Sequence, residues 1–162
     1  IYDVWVIGYH RMGWKICETL RDQKKSFAVI DFNPETVKHL RNQNIPAYFG
    51  DVADVEFLTE LPLEKAKLVI STIPEPDDQF TLIKHIRSLN HKPHIIANLH
   101  QAQYMKDFYA AGVNYIMMPH MLGGYRISEI LRNIKLSHTS FKKLRHEQEQ
   151  EMSMRFSARA HD

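Results

Sequence analysis

The residues near the amino end with the clearest chemistry are those that handle a phosphate. Gly8, Tyr9, His10, Arg11, Met12 and Gly13 form a G-x-H-x-x-G frame, and an acid, Asp31, stands 18 residues beyond Gly13. In a frame of this kind the first glycine permits a tight turn. The second position is normally bare, so that the backbone can approach a pyrophosphate, and the third lets helix and strand pack closely. The phosphate then rests on free backbone N–H groups at the start of a helix, where the helix dipole favours an anion. A carboxylate at Asp31 accepts hydrogen bonds from both hydroxyls of an adenosine ribose. It repels a 2′-phosphate, and Phe32 and Asn33 supply no cation to offset that. NAD-type ligands and simple adenine nucleotides are therefore favoured over NADP. The alternative for Asp31 is a solvated loop carboxylate. His10 breaks the frame. It obstructs a diphosphate, swings aside, donates from its ring to phosphate, or marks a degenerate site that keeps the fold without the ligand.

Two further positions belong to the same place. Gly50-Asp51, followed by Val52, ends the third predicted strand, and Ser71-Thr72-Ile73 ends the fourth. Asp51 is either a ligand group or the cap of a helix beginning near Ala53.

These groups need strands that end together and helices that begin there. The predicted strands are Asp3 to Ile7, Phe27 to Ile30, Ile45 to Phe49, Lys67 to Thr72, His94 to Leu99 and Val113 to Met118. The predicted helices are Met12 to Lys24 (Ile16, Cys17 and Leu20 on one face), Pro34 to about Asn42 with Asn33 as N-cap, Ala53 to Glu60, one introduced by Asp77-Asp78 with Phe80, Ile83 and Ile86 inward, and Gln101 to Ala111 ending at Gly112. Short strands alternating with helices make an α/β, Rossmann-like doubly wound sheet of six parallel strands, in the order 3-2-1-4-5-6. Ile127, Ile130, Leu131 and Ile134, continued by Phe141 and Leu144, form the stripe of an extra C-terminal amphipathic helix after Gly123-Gly124. The expected division is a nucleotide-binding domain over 1–120, a linker and crossover or dimerisation helix over 121–145, and a polar, frayed tail over 146–162. The first residue is Ile1, and a strand follows at once, as expected of a domain of a longer protein or of a processed product.

Composition narrows the chemistry. With 44% hydrophobic and 25% charged residues the chain is globular rather than disordered, and 162 residues bury roughly 70% of their unfolded surface. A lone cysteine, Cys17, excludes a disulfide framework and a cysteine-based zinc cluster. A net charge of +2 gives no argument for nucleic acid. Tyr-x-x-x-Lys, G-x-S-x-G and H-E-x-x-H are all absent from the sequence, so it offers no familiar catalytic set. His91, His94 and His100 fit loop and strand-end roles better than a metal site, Cys17 a core position, and Lys142-Lys143-Leu144-Arg145-His146 a solvated helix face.

The succession VIGYHRMG, VIDFNPETV, IPAYFGDVADVEFL, KAKLVISTIPEPDDQFTLI, HIIANL and AGVNYIMMPHMLGG resembles the TrkA N-terminal domain. This is also called the N-terminal domain of regulators of conductance of potassium, with the soluble domain of Kef-type cation:proton antiporters as the nearest flavour. The resemblance covers about residues 1 to 125, and the Gly-Asp pair after strand three is its best discriminator. It implies a non-enzymatic, cytoplasmic regulatory domain, tethered at the inner membrane through a membrane transporter portion of the same or an associated chain. It implies binding of NAD(H), AMP, ADP or ATP, no nucleic acid, and assembly as a homodimer or ring through the C-terminal helix, with ligand-dependent rearrangement gating potassium or cation transport. Carried over by position, the resemblance assigns the turn Gly8 to Gly13, Asp31 with Phe32, Asp51 with Val52, and Thr72 with Ile73, with Arg11 near phosphates or a subunit seam. His10 and Pro74-Glu75-Pro76 depart from the family pattern. The competing readings are a fragment of an NAD-dependent oxidoreductase and an assembly domain with a degenerate nucleotide site.

Overall fold

The computed structural model describes residues 1–10 and 12–159, with side chains as far as residue 153. Arg11 and the last three residues lie outside the described part. The chain forms two compact units, Ile1–Met118 and Pro119–Asp162.

The first unit is a six-stranded, all-parallel sheet. Its strands are β1 (Val4–Ile7), β2 (Phe27–Asp31), β3 (Ala47–Phe49), β4 (Leu68–Ser71), β5 (His94–Asn98) and β6 (Tyr115–Met117), in the spatial order β3-β2-β1-β4-β5-β6. This is the predicted order. β1 pairs on both sides, Val4 with Phe27 and with Leu68, Ile7 with Ile30 and with Ser71. Its alternating side chains feed two cores. Val4 and Val6 join Cys17, Leu20, Val37 and Leu40 on one face. Trp5 and Ile7 join Leu58, Leu82, Ile83, Ile86 and Phe108 on the other. Helices α1 (Gly13–Asp22) and α2 (Pro34–Asn42) supply the first core; α3 (Val55–Glu60), α4 (Pro76–Ser88) and α5 (Met105–Ala111) supply the second.

Local rules place the helix ends. The Asn33 side chain accepts from the Glu35 N–H with Pro34 just inside α2. Asp54, not Asp51, caps α3, accepting from the N–H groups of Glu56 and Phe57, so this helix begins later than Ala53. A short 3₁₀ turn, Ala102–Tyr104, occupies what was expected as the first turn of α5. α5 ends at Gly112 with φ 112°, and a Cβ there would lie 2.7 Å from Arg87 Nε. The Arg87 guanidinium instead donates to the carbonyls of Gly112 and Pro93 and to Asn114 Oδ1, tying the end of α4 to the start of β5 and β6.

The second unit differs from expectation. The region predicted as one amphipathic helix is two: α6 (Pro119–Asn133) and α7 (His138–Arg159). Pro119, expected to close β6, opens α6, and Gly123-Gly124 sit inside that helix. The region predicted as a frayed tail is helical through Arg159. Among the described residues no helix is long and apolar enough to cross a membrane.

Candidate functional site

Parallel strands put all their carboxyl ends on one edge, and at β1 the connections turn from one side of the sheet to the other, leaving a crevice. A cavity of about 510 Å³ lies there, lined by residues from the ends of β1, β2, β3 and β4 and from the start of α4.

The turn after β1 is built for close packing. Gly8 has φ 88°, and a Cβ on it would lie 2.3 Å from Thr72 Oγ1. A Cβ on Gly13 would lie 2.0 Å from the Gly8 carbonyl oxygen, so α1 approaches the turn as closely as backbone allows. Thr72 secures the turn from below: its N–H and its hydroxyl both donate to the Ile7 carbonyl, at 2.9 and 2.8 Å, and the hydroxyl lies 3.0 Å from the Gly8 carbonyl. α1 has no acid in its first turn, so its N-terminal dipole is open to an anion.

Asp31 is buried, 5% exposed, and both its oxygens are engaged by backbone: Oδ2 accepts from Tyr9 N–H and Oδ1 from Asn33 N–H, each at 2.9 Å. A carboxylate oxygen has two lone pairs, so each keeps an acceptor position while the bonds fix the group in place. Asp31 is therefore a held carboxylate rather than a solvated loop residue. Asp51 is exposed and accepts from Ala53 N–H at 2.9 Å, closing a turn rather than capping α3. His10 lines the cavity with its ring turned to α2, Nε2 lying 2.9 Å from Oγ1 of the buried Thr36.

Of the residues singled out from sequence, Gly8, His10, Asp31, Phe32, Asp51, Val52, Thr72 and Ile73 meet in this cavity. Tyr9 does not line it; its side chain is buried in the α1–α2 core. Met12 precedes α1 and Gly13 opens it, and neither lines the cavity. Arg11 lies outside the described residues. The cavity adds Pro74, Glu75 and Asp78, which sequence reasoning took only for a departure from the family pattern and a helix start. Their position directly after β4, on the same edge as Gly8, was the available signal.

Behind this wall is a polar clamp that sequence reasoning missed. Gln79 and Asn98 are fully buried. The Gln79 side chain donates to the Asn98 carbonyl and accepts from its N–H, while Asn98 Nδ2 lies 3.4 Å from the carbonyls of both Thr72 and Ile73. It fixes the loop carrying Pro74 and Glu75 to the end of β5.

Of the other candidates, Cys17 is packed in the core, whereas His91, His94 and His100 are exposed. Cys17 is buried, and burial pushes its thiol up to about 12, the nearby Arg21 charge opposing this only in part; a thiol so held is a poor nucleophile at neutral pH. A His91 ring nitrogen meets the Ala66 carbonyl, and His100 lies against Asn98. Among the described residues no three His, Cys, Asp or Glu side chains are placed to hold one metal ion.

The cavity presents a buried, backbone-held carboxylate, Asp31, with Phe32 and Val52 beside it and the Gly8 turn that leads into α1. Residues 4–119 match the model of the TrkA-N domain family. Probable potassium channel protein 2 of Methanocaldococcus jannaschii is 29% identical over 129 residues, 77% of this chain and 37% of that protein. The chain spans under two fifths of the length of the curated relatives it matches, 37% and 39%. Among solved structures, the TrkA-N domain of inner membrane protein ybaL from Escherichia coli superposes with a TM-score of 0.74 at 26% identity, over 81% of this chain and 98% of that one. The Kef CTD of Shewanella denitrificans in its AMP-bound form shares the fold, with a TM-score of 0.67 at 17% identity over 96% of this chain and 94% of that one.

Proposed function

The chain belongs to the TrkA-N domain family, and on that premise we propose that it is a nucleotide-sensing regulatory domain of a potassium or other cation transport system. The observation that carries this reading is one strand-end cavity lined by both Gly8 and a buried, backbone-held Asp31, with the turn from Gly8 leading into the acid-free N-terminus of α1. The ligand class is NAD(H) or an adenine mono-, di- or triphosphate. Phosphate rests on the turn from Gly8 to Gly13, ribose on Asp31, and the base beside Phe32 and Val52.

The output is mechanical. Thr72 joins the phosphate turn to β4, and the Gln79–Asn98 clamp joins the end of β4 to α4 and β5. A ligand that pulls on the turn therefore moves a connected set of strand ends. That movement passes to a second copy through the carboxyl-terminal helices. No residue of α6 is buried, and Met121, Leu122, Tyr125, Ile127 and Leu131 are all exposed. Such a dimer, attached on the cytoplasmic side to a membrane-spanning transporter, gates it according to the nucleotide bound.

Thermal melting with NAD, NADH, AMP, ADP and ATP at millimolar levels tests the reading. A ligand present at a hundred times its dissociation constant stabilises by about 2.7 kcal/mol. Stabilisation by at least one nucleotide, weakened in Asp31→Ala, is the expected result. His10 in the phosphate turn favours a second reading, an assembly domain whose site has lost its ligand. Silence with all five nucleotides, together with a stable dimer by light scattering, would establish it.

A further inference from the structure

The two edges of the parallel sheet carry opposite charge. Where the strands end, the cavity is lined by Asp31, Asp51, Glu75 and Asp78 and, among the described residues, by no lysine or arginine. Where they begin, a second cavity of about 370 Å³ lies between the ends of α1 and α2 and the starts of β2 and β3. Arg21, Lys24 and Lys25 line it, and among the described residues no carboxylate does. The segments opening β4 and β5 add Lys65, Lys67 and Lys92 to the same edge, against Asp3, Asp22 and Glu64. A net charge of only +2 conceals this division.

Helix-end chemistry does not account for these cations. α1 and α2 are each followed by a left-handed residue, Lys24 with φ 55° and Asn44 with φ 61°. The N–H groups of Lys24 and Lys25 donate to the carbonyls of Arg21 and Leu20, and those of Asn44 and Ile45 to the carbonyls of Arg41 and Leu40. Backbone alone thus caps both helices. Glycine holds a left-handed position without strain, yet position 24 is a lysine whose side chain lines the cavity. Among the described residues none of Arg21, Lys24 and Lys25 is in an ion pair. The cavity therefore offers a guanidinium fork and two ammonium groups, with the amides of Gln43 and Asn44 beside them, over a floor of buried Phe27 and Ile45. Such a set of donors suits the oxygens of a phosphate.

All three cations are exposed, so a lone phosphate gains little from them against water and salt. A plane of phosphates engages the cavity and the neighbouring lysines together, each further contact being intramolecular. We propose that this edge docks on anionic phospholipid headgroups, with one phosphate seated between Arg21, Lys24 and Lys25, so that the strand starts lie against a membrane surface and the strand-end cavity opens away from it. The proposal stands independently of the nucleotide reading. Each cation contributes roughly fivefold at an anionic surface, so removing three costs about a hundredfold, and the attraction weakens with salt.

Co-sedimentation with vesicles of phosphatidylcholine alone, and of phosphatidylcholine mixed with phosphatidylglycerol, decides it at low and at high salt. Two variants are compared with the wild type: Arg21→Gln/Lys24→Gly/Lys25→Gln, and Lys142→Gln/Lys143→Gln/Arg145→Gln in the other basic run of the chain. Expected are binding to the phosphatidylglycerol vesicles only, a loss of about a hundredfold in the first variant, a much smaller loss in the second, and no displacement by inorganic phosphate at matched ionic strength. Failure to bind either vesicle, equal binding to both, full binding by the first variant or a greater loss in the second would overturn the proposal. Displacement by inorganic phosphate would do so too, making the cavity a site for a free anion. Urea titration checks that the first variant, whose altered side chains are all exposed, keeps the fold.

Discussion

Thr72 Oγ1 stands where a Cβ on Gly8 would have to go, 2.3 Å from that position, and its hydroxyl donates to the Ile7 carbonyl and lies 3.0 Å from that of Gly8. The turn after β1 is thus set by two strands at once. Gly8→Ala meets both the contact and a φ of 88°, and should lose about 1–3 kcal/mol. Gly124→Ala, in α6 with nothing within 4 Å of its Cβ, should instead gain about 0.5–1 kcal/mol. Urea titrations of both variants measure the contrast; a neutral Gly8→Ala would mean that the turn has room.

Asp31 has a structural and a ligand role that can be separated. Asp31→Ala leaves the N–H groups of Tyr9 and Asn33 without their acceptor, which should cost the unliganded protein about 1–3 kcal/mol. Independently, the wild type should prefer NAD to NADP, and the variant should narrow that gap. A wild type that already prefers NADP would contradict the ribose role.

His10 takes the position that must be bare for a diphosphate to approach, and its ring is held by Thr36. His10→Gly should therefore tighten NAD and ADP more than AMP, with little difference between about pH 6 and about pH 8. Weaker NAD binding in the variant, with loss of a pH dependence present in the wild type, would instead make the ring a phosphate donor. Titration of both proteins with AMP and NAD at the two pH values reads the difference.

Cys17 supplies a pH dependence of stability. Its thiol is raised from 9.0 to about 12 by burial in the fold. Above about pH 9 the unfolded chain releases this proton while the folded chain retains it, so the stability this group contributes is lost as pH rises toward 12. The urea midpoint of wild type should fall over that range more steeply than that of Cys17→Ala. At neutral pH the native thiol should resist a disulfide reagent and react only after unfolding. Rapid reaction of the native protein would mean that α1 exposes it.

The elements were legible because β-branched runs, Asn33-Pro34 and Gly112 carry backbone requirements that few other residues meet. The phosphate turn and Asp31 were legible for the same reason, since spacing alone places them at neighbouring strand ends. Asp77-Asp78 were correctly taken as a helix start, yet that their turn also faces the cavity depends on where β4 stops, which is a tertiary fact. Gln79 was illegible because a polar residue beside Phe80 gives no periodic signal; its burial follows from the Asn98 backbone groups it meets. Pro119 and Gly123-Gly124 misled in the opposite direction. Proline fits the first helical position as well as a strand end, and two glycines weaken a helix without ending it.

The order β3-β2-β1-β4-β5-β6 also has a temporal meaning. Of the six strands β1 leaves the ribosome before the others, yet one of its two neighbours, β4, begins only at Leu68. Until then Val4 to Ile7 form one ladder and present a bare hydrogen-bonding edge. The Gly8 turn has no Thr72 beneath it, and the wall bearing Glu75 and Asp78 has not been made. A nascent chain halted before that point can pair β1 with β2 and hold Asp31 against Tyr9, but it cannot enclose a ligand. Completion of the cavity and protection of the sheet's most apolar strand from intermolecular pairing are one event in biosynthesis, and any slowing of translation between β3 and β4 prolongs the interval in which that edge is open to another chain.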